Sequence, residues 1–213
     1  MLEQYYKPTA DFVRLWLEKT ERPEMGRRNT AGFRWRHMLR VLKTAREIGL
    51  AEGADLGIIE LATLLHDVAK LDPRTETIHH AVLGSQIAEK YLTDLDINSE
   101  TVARIVEAVR YHSYDTVPEQ MSLETKVIKD ADRLDEIGAL GVIWVGIHAG
   151  RVGMDYRGSF RQGQKELVNL EQLTFYTETG KAFFEKRFKF IQDFWSQVEF
   201  ELMGEKISPY EEI

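Results

Sequence analysis

Apolar side chains recur at intervals of three and four along almost the whole chain, and that period excludes most folds. Phe184, Phe188, Ile191, Trp195, Val198 and Leu202 step by four, three, four, three and four residues, which places all six on one helical face. Phe183, Phe190 and Phe194 are expected to widen this stripe as packing aromatics. In AGFRWRHMLRVLKTAREIGL, Met38, Val41, Leu42, Ala45 and Ile48 share an apolar side. Arg36, Arg40, Lys43 and Glu47 fall on the other. The two-residue alternation of half-buried strands is nearly absent, so the expected fold class is all-α.

Further helices are expected over TADFVRLWLEKT, residues 58–70, AVLGSQIAEKYL and NSETVARIVEAVRYH, the last with Asn98 or Ser99 as N-cap. LETKVIKDADRLDEIGALGVIWVGIHAG is expected to be helical in its first half and to end in glycines, with His148 after the helix. RVGMDYRGSFRQGQ, rich in Gly and Arg, reads as a loop.

Lys and Arg total 28 against 35 Asp and Glu, a net charge of −7. That balance argues against duplex nucleic acid or an anionic membrane as partner, so an anionic substrate needs a local cation. The chain has no cysteine, which excludes thiolate nucleophiles and Cys-ligated zinc. No apolar run reaches the about 18 residues that a membrane span needs. MLEQYYKPTADF has no basic stretch followed by an apolar one, and a cytoplasmic location is expected.

His and Asp residues stand where the helical pattern points inward. His37 precedes Val41 by four, His80 precedes Gly84, Ile87 and Tyr91, and His112 follows Val102, Ile105 and Val109. LLHDVAK ends an apolar run with His66 and Asp67 adjacent, and Asp132 follows Ile128 by four. A buried carboxylate is costly unless paired or metal-bound. Each residue alone has a packing explanation; several in one small helical core imply a shared cation.

A lone His (His37), an adjacent His-Asp closing a second helix (His66, Asp67) and a distant Asp in KDADRLDEIG (Asp132) resemble the signature of the HD-domain metal-dependent phosphohydrolases. With HHAVLGSQIA and RYHSYD between them, the set is similar to the small stand-alone nucleotide pyrophosphohydrolase branch. The sequence shows no domain boundary, so one domain is expected over 1–213, with a helical extension over 165–205 that carries the long aromatic-rich C-terminal helix. The resemblance covers about residues 30–160 and implies an HD-type helical bundle with its metal-site core there. It also implies His37, His66, Asp67 and Asp132 as metal ligands, and His80 and His112 as positions for a second ion or for substrate.

The chemistry suits that reading. A divalent ion on such ligands lowers the pKa of bound water and neutralises the phosphate it attacks, and Asp67 can take the proton. Mn²⁺ is favoured among Mn, Mg, Co, Ni, Fe and Zn. Lys70, one turn past His66, either meets a phosphate or is a solvated helix-end lysine; Arg133 either holds a phosphate or pairs with Glu136. Asp130 is expected on the solvated side, Asp135 behind a ligand, and His79 as an exposed neighbour of His80. Arg151, Arg157, Arg161 and Lys165 form a basic segment, either a solvated loop or a lid over a polyphosphate. The expected activity is metal-dependent hydrolysis of a small nucleotide, from (d)NTP to (d)NMP and pyrophosphate, with a homodimer possible through the C-terminal helix. Two other readings use the same residues: a dinuclear-iron oxygenase, and a nucleotide-binding HD protein without turnover.

Overall fold

The computed structural model describes residues 2–114 and 120–203. Among these residues the secondary structure is helical and no strand occurs, as the sequence period requires. The chain divides into two compact units, Met1–Asp135 with Phe175–Gly180, and Glu136–Thr174 with Lys181–Ile213.

The first unit contains α1 (Glu3–Thr20), α2 (Ala31–Glu52), α3 (Leu56–Leu65), α4 (His80–Thr93), α5 (Ser99–Tyr111) and α6 (Leu123–Leu134). Helix α1 begins six residues before the expected Thr9 and accommodates Pro8 in its interior. Most starts are fixed by side-chain caps: Thr30 accepts from the Phe33 N–H, Asp55 from Gly57 and Ile58, Asn98 from Thr101, and Ser122 from Thr125. Helix α3 is apolar all round, with Ile58, Ile59, Leu61, Ala62, Leu64 and Leu65 all buried, as a central helix must be. It packs against α1, α2, α4, α5 and α6. The expected 58–70 helix stops at Leu65, and the chain continues through three-residue turns, Val68 to the Leu65 carbonyl and Lys70 to that of Asp67. His66 and Asp67 therefore leave the middle of the core on a tight turn, 0% and 3% exposed.

Residues 175–180 are tied to the first unit by Asp130 and Glu52. Asp130, expected in solvent, is fully buried and accepts from Tyr176 N–H, Thr177 N–H and the Thr177 hydroxyl. Burial raises its pKa despite these bonds. Gly180 is required there, because a Cβ would stand 2.4 Å from the Asp130 Oδ2.

The second unit holds α7 (Ala139–Arg151), α8 (Tyr156–Glu171) and most of α9 (Glu178–Met203). Two expectations fail here. The second half of 123–150 is helical too, so His148 lies within α7 and is exposed. The expected Arg-rich loop is mostly α8, capped by Asp155 accepting from the Gly158 N–H. Its glycines serve packing rather than a turn: a Cβ on Gly163 would lie 2.1 Å from the Trp195 ring. Arg157, Arg161 and Lys165 are thus helix residues. In α9, Ile191 and Trp195 are buried and Phe188, Val198 and Leu202 partly so, as their spacing predicts. Phe190 and Phe194 do not widen the stripe; they are 46% and 37% exposed.

Candidate metal centre

Three helix ends and two helix faces of the first unit meet at Asp67. Helix α2 presents His37 and α6 presents Asp132; α4 begins with His80; His66 and His112 are the C-cap residues of α3 and α5. The caps share one device. The His66 Nδ1–H donates to the Thr63 carbonyl and the His112 Nδ1–H to that of Val109, both at 2.7 Å. Each bond satisfies a helix-end carbonyl and turns Nε2, with its lone pair, toward the centre. Asp135 performs the corresponding task for His37, with Oδ2 2.8 Å from Nδ1. Asp135 is itself held by Arg40, through Nε and a terminal nitrogen, both at 2.7 Å.

Two corners result, joined by the Asp67 carboxylate. In the first, His37 Nε2 lies 3.2 Å from both His66 Nε2 and Asp132 Oδ1, and 3.7 Å from Asp67 Oδ2. In the second, Asp67 Oδ1 lies 3.5 Å from His80 Nε2 and 3.6 Å from His112 Nε2, and the two imidazoles approach to 3.3 Å. The groups His37–His66–Asp132 and His66–Asp67–His112 are each compact enough for their ligand atoms to share one ion. All six expected residues come together, although they span almost a hundred positions.

The donors fit a divalent cation. Ligands about 2.0–2.2 Å from an ion are separated by about 3.0–3.5 Å along a coordination edge, close to the spacings here. The Nε2 atoms of His37 and His66, and of His80 and His112, face one another at 3.2 and 3.3 Å, the spacing of neighbouring ligands around one ion. Asp67 Oδ1 is buried with no hydrogen-bond partner, an arrangement expensive to leave unanswered. Burial lowers the pKa of His66 to about 4 and of His80 to about 3, so both offer neutral nitrogens at pH 7. Burial acts in the same direction on His37, but Asp132 and Asp135 outweigh it and raise its pKa to about 10. Burial disfavours the charge on Asp67 and Asp132, yet Lys70 and the neighbouring imidazoles keep the first ionised, as His37 and its neighbours do the second.

A cation, Lys70, stands at the second corner, while Arg133 is placed against Tyr176. Lys70 Nζ donates to His80 Nε2 at 3.0 Å and stands 3.7 Å from Asp67 Oδ1. The Arg133 guanidinium lies over the Tyr176 ring, 5.6 Å from its centroid. Two arginines were not picked out by the sequence. Arg34 reaches Asp67 Oδ2 at 3.3 Å, and Arg40, assigned to a solvated side, clamps Asp135. Both sit three residues from His37, one on each side, and that spacing was the available signal. His79 is exposed, as expected, but its Nδ1 caps α4 by accepting from the Ala81 N–H.

A family model described as HD domain matches residues 34–137. The YpgQ protein of Bacillus subtilis is 29% identical over 203 residues, covering 92% of this chain and 94% of its own. The crystal structure of YpgQ in complex with ADP is similar at a TM-score of 0.63 and 27% identity, over 94% of this chain and 97% of that one. An HD-superfamily hydrolase from Bacillus thuringiensis matches with a TM-score of 0.72 and 26% identity, over 94% and 98% of the two chains. Residues 34–137 thus carry an HD domain, in line with the HD-superfamily proteins that the chain resembles.

Proposed function

We propose that the chain is a metal-dependent phosphohydrolase that converts a nucleoside or deoxynucleoside triphosphate to its monophosphate and pyrophosphate. The observation that carries this reading is the buried Asp67 carboxylate, one oxygen in each of two imidazole-lined corners, with Oδ1 lacking a hydrogen-bond partner. The ADP bound by the similar YpgQ supports a nucleotide as ligand.

In this reading His37, His66, Asp67 and Asp132 hold a divalent ion, with Mn²⁺ favoured. The ion supplies Lewis acidity and lowers the pKa of a bound water. Asp67 Oδ1 accepts the proton that the attacking water loses. The water oxygen bonds to the α-phosphorus as the bond to the bridging oxygen breaks, and pyrophosphate leaves with that oxygen. Lys70 and Arg34, both against Asp67, bind phosphate oxygens, with Arg133 at the rim of α6. Asp135 and Arg40 orient His37 and take no part in proton transfer.

Convergence of all six His and Asp residues also suits a dinuclear-iron oxygenase. Against that, Lys70 occupies the His80 Nε2 lone pair that a second ion needs, which favours the hydrolase. The test is a screen of nucleotides and phosphoesters against several divalent ions in ¹⁸O-labelled water. Label is expected in the nucleoside monophosphate. Absence of any cleavage, with dioxygen consumed by iron-loaded protein, would replace this reading by the oxygenase.

A further inference from the structure

Lys129 is among the largest side chains with no exposed surface. Its ammonium donates to three backbone carbonyls, Tyr111 at 2.9 Å, His112 at 3.3 Å and Tyr114 at 2.5 Å. The same ammonium lies 5.6 Å from the centroid of the Tyr176 ring. Burying an ammonium is expensive, and carbonyl dipoles repay it only in good geometry. The Tyr111 and His112 carbonyls belong to the last residue and the C-cap of α5, and Tyr114 follows two residues on. The His112 ring is held by the Val109 carbonyl and its own carbonyl by Lys129. Lys129 lies three residues before Asp132 on α6. One helix therefore supplies the carboxylate of the first corner and, one turn back, the clamp on the helix end that supplies the imidazole of the second.

We propose that Lys129 is a positioning residue: its ammonium sets the distance between the two corners by fixing the end of α5, and so places His112 Nε2 against Asp67 Oδ1. A purely structural lysine would stabilise α5 without affecting what His112 does. The proposal rests on the metal-site reading, and a double-mutant cycle separates the alternatives. Mn²⁺ affinity by calorimetry and melting temperature are measured for the wild type, Lys129→Met, His112→Ala and the double variant. Met keeps the length of the stem and removes the donors. Asp67 faces the first corner through Oδ2 while His112 stands 3.6 Å from its Oδ1, so a displaced His112 loosens a ligand of the first-corner ion. Lys129→Met is therefore expected to weaken Mn²⁺ binding about tenfold where His112 is present and less than twofold in His112→Ala, while lowering the melting temperature in both. Equal weakening in the two backgrounds, or none where His112 is present, overturns the proposal. If Lys129→Met does not fold, Lys129→Gln, which keeps one amide donor group, runs the same cycle with the same criteria. A wild type that binds Mn²⁺ but cleaves no phosphorylated compound defeats the hydrolase reading and leaves this cycle readable.

Discussion

At the scale of the residue, Asp67 and His37 carry the most consequence. Asp67→Asn preserves shape and removes both the charge and the proton acceptor. Because the side chain follows α3 rather than supporting it, the melting temperature should move by no more than about 5 °C. Turnover should fall about a thousandfold or more, since both metal ligation and proton acceptance are lost. Wild-type turnover in this variant would remove Asp67 from the mechanism, and loss of the folded state would make it a structural residue. His37 makes a prediction about protons. Its pKa, raised to about 10 by Asp132 and Asp135 against the opposing effect of burial, means that Nε2 is protonated at pH 7 before an ion arrives. His66, lowered to about 4 by burial, is already neutral. Metal binding at pH 7 should therefore release about one proton, and apparent affinity should rise about tenfold per pH unit between pH 6 and 8. Calorimetry in buffers of different ionisation enthalpy reads the proton count; a count near zero would place the His37 pKa below the assay pH.

At the scale of the element, α6 links the site to residues 175–180. Asp130 faces that segment, one residue from Lys129 and two from Asp132. Asp130→Ala strands the Tyr176 and Thr177 amides and the Thr177 hydroxyl, and should cost about 2–4 kcal/mol in denaturant unfolding. A cost below about 1 kcal/mol would mean that water replaces the carboxylate. The inward face of α6 was legible through Ile128 and Asp132, four apart, but the burial of Asp130 was not, because its donors lie 46 and 47 residues away. The same limit explains α8. Gly158 and Gly163 read as breakers, whereas Gly163 is small because Trp195 lies against it, a contact that local sequence cannot contain. Helix starts were more legible, since a cap is a local bond: Asn98 accepts from Thr101 three residues on. The six His and Asp residues were legible for a related reason. His37, His80, His112 and Asp132 stand at helical spacing from apolar neighbours, so their inward direction could be read one helix at a time, while His66 and Asp67 were marked by closing an apolar run and by the ordered set. Arg34 was overlooked because an arginine before a core histidine has the appearance of a solvated face.

At the scale of the whole molecule, the excess of acidic over basic residues and the cations at the site pull in opposite directions. Among the described residues no helix is long and apolar enough to cross a membrane. Fields from exposed charges fade over about 8 Å at physiological salt. A ligand small enough to sit within the cluster therefore feels Lys70 and Arg34, while a long polyanion also meets the −7 surface. The two cations are not arranged as a track. Each is anchored on the Asp67 carboxylate, so in the proposed function they would serve one short run of phosphates rather than a continuous backbone. Inorganic tripolyphosphate, which carries the phosphate chain without a nucleoside, should then compete with a nucleoside triphosphate for the site. A short DNA duplex at equal phosphate concentration should not. Inhibition of turnover by each, at fixed free Mn²⁺ to avoid chelation, measures the difference. Lys70→Glu should abolish most of the tripolyphosphate inhibition and raise KM by about tenfold or more while leaving Mn²⁺ binding less affected, because Lys70 contacts the ligand set from its rim. Equal inhibition by duplex and tripolyphosphate would mean that the acidic surface does not screen the site, and that the substrate class extends to nucleic acid.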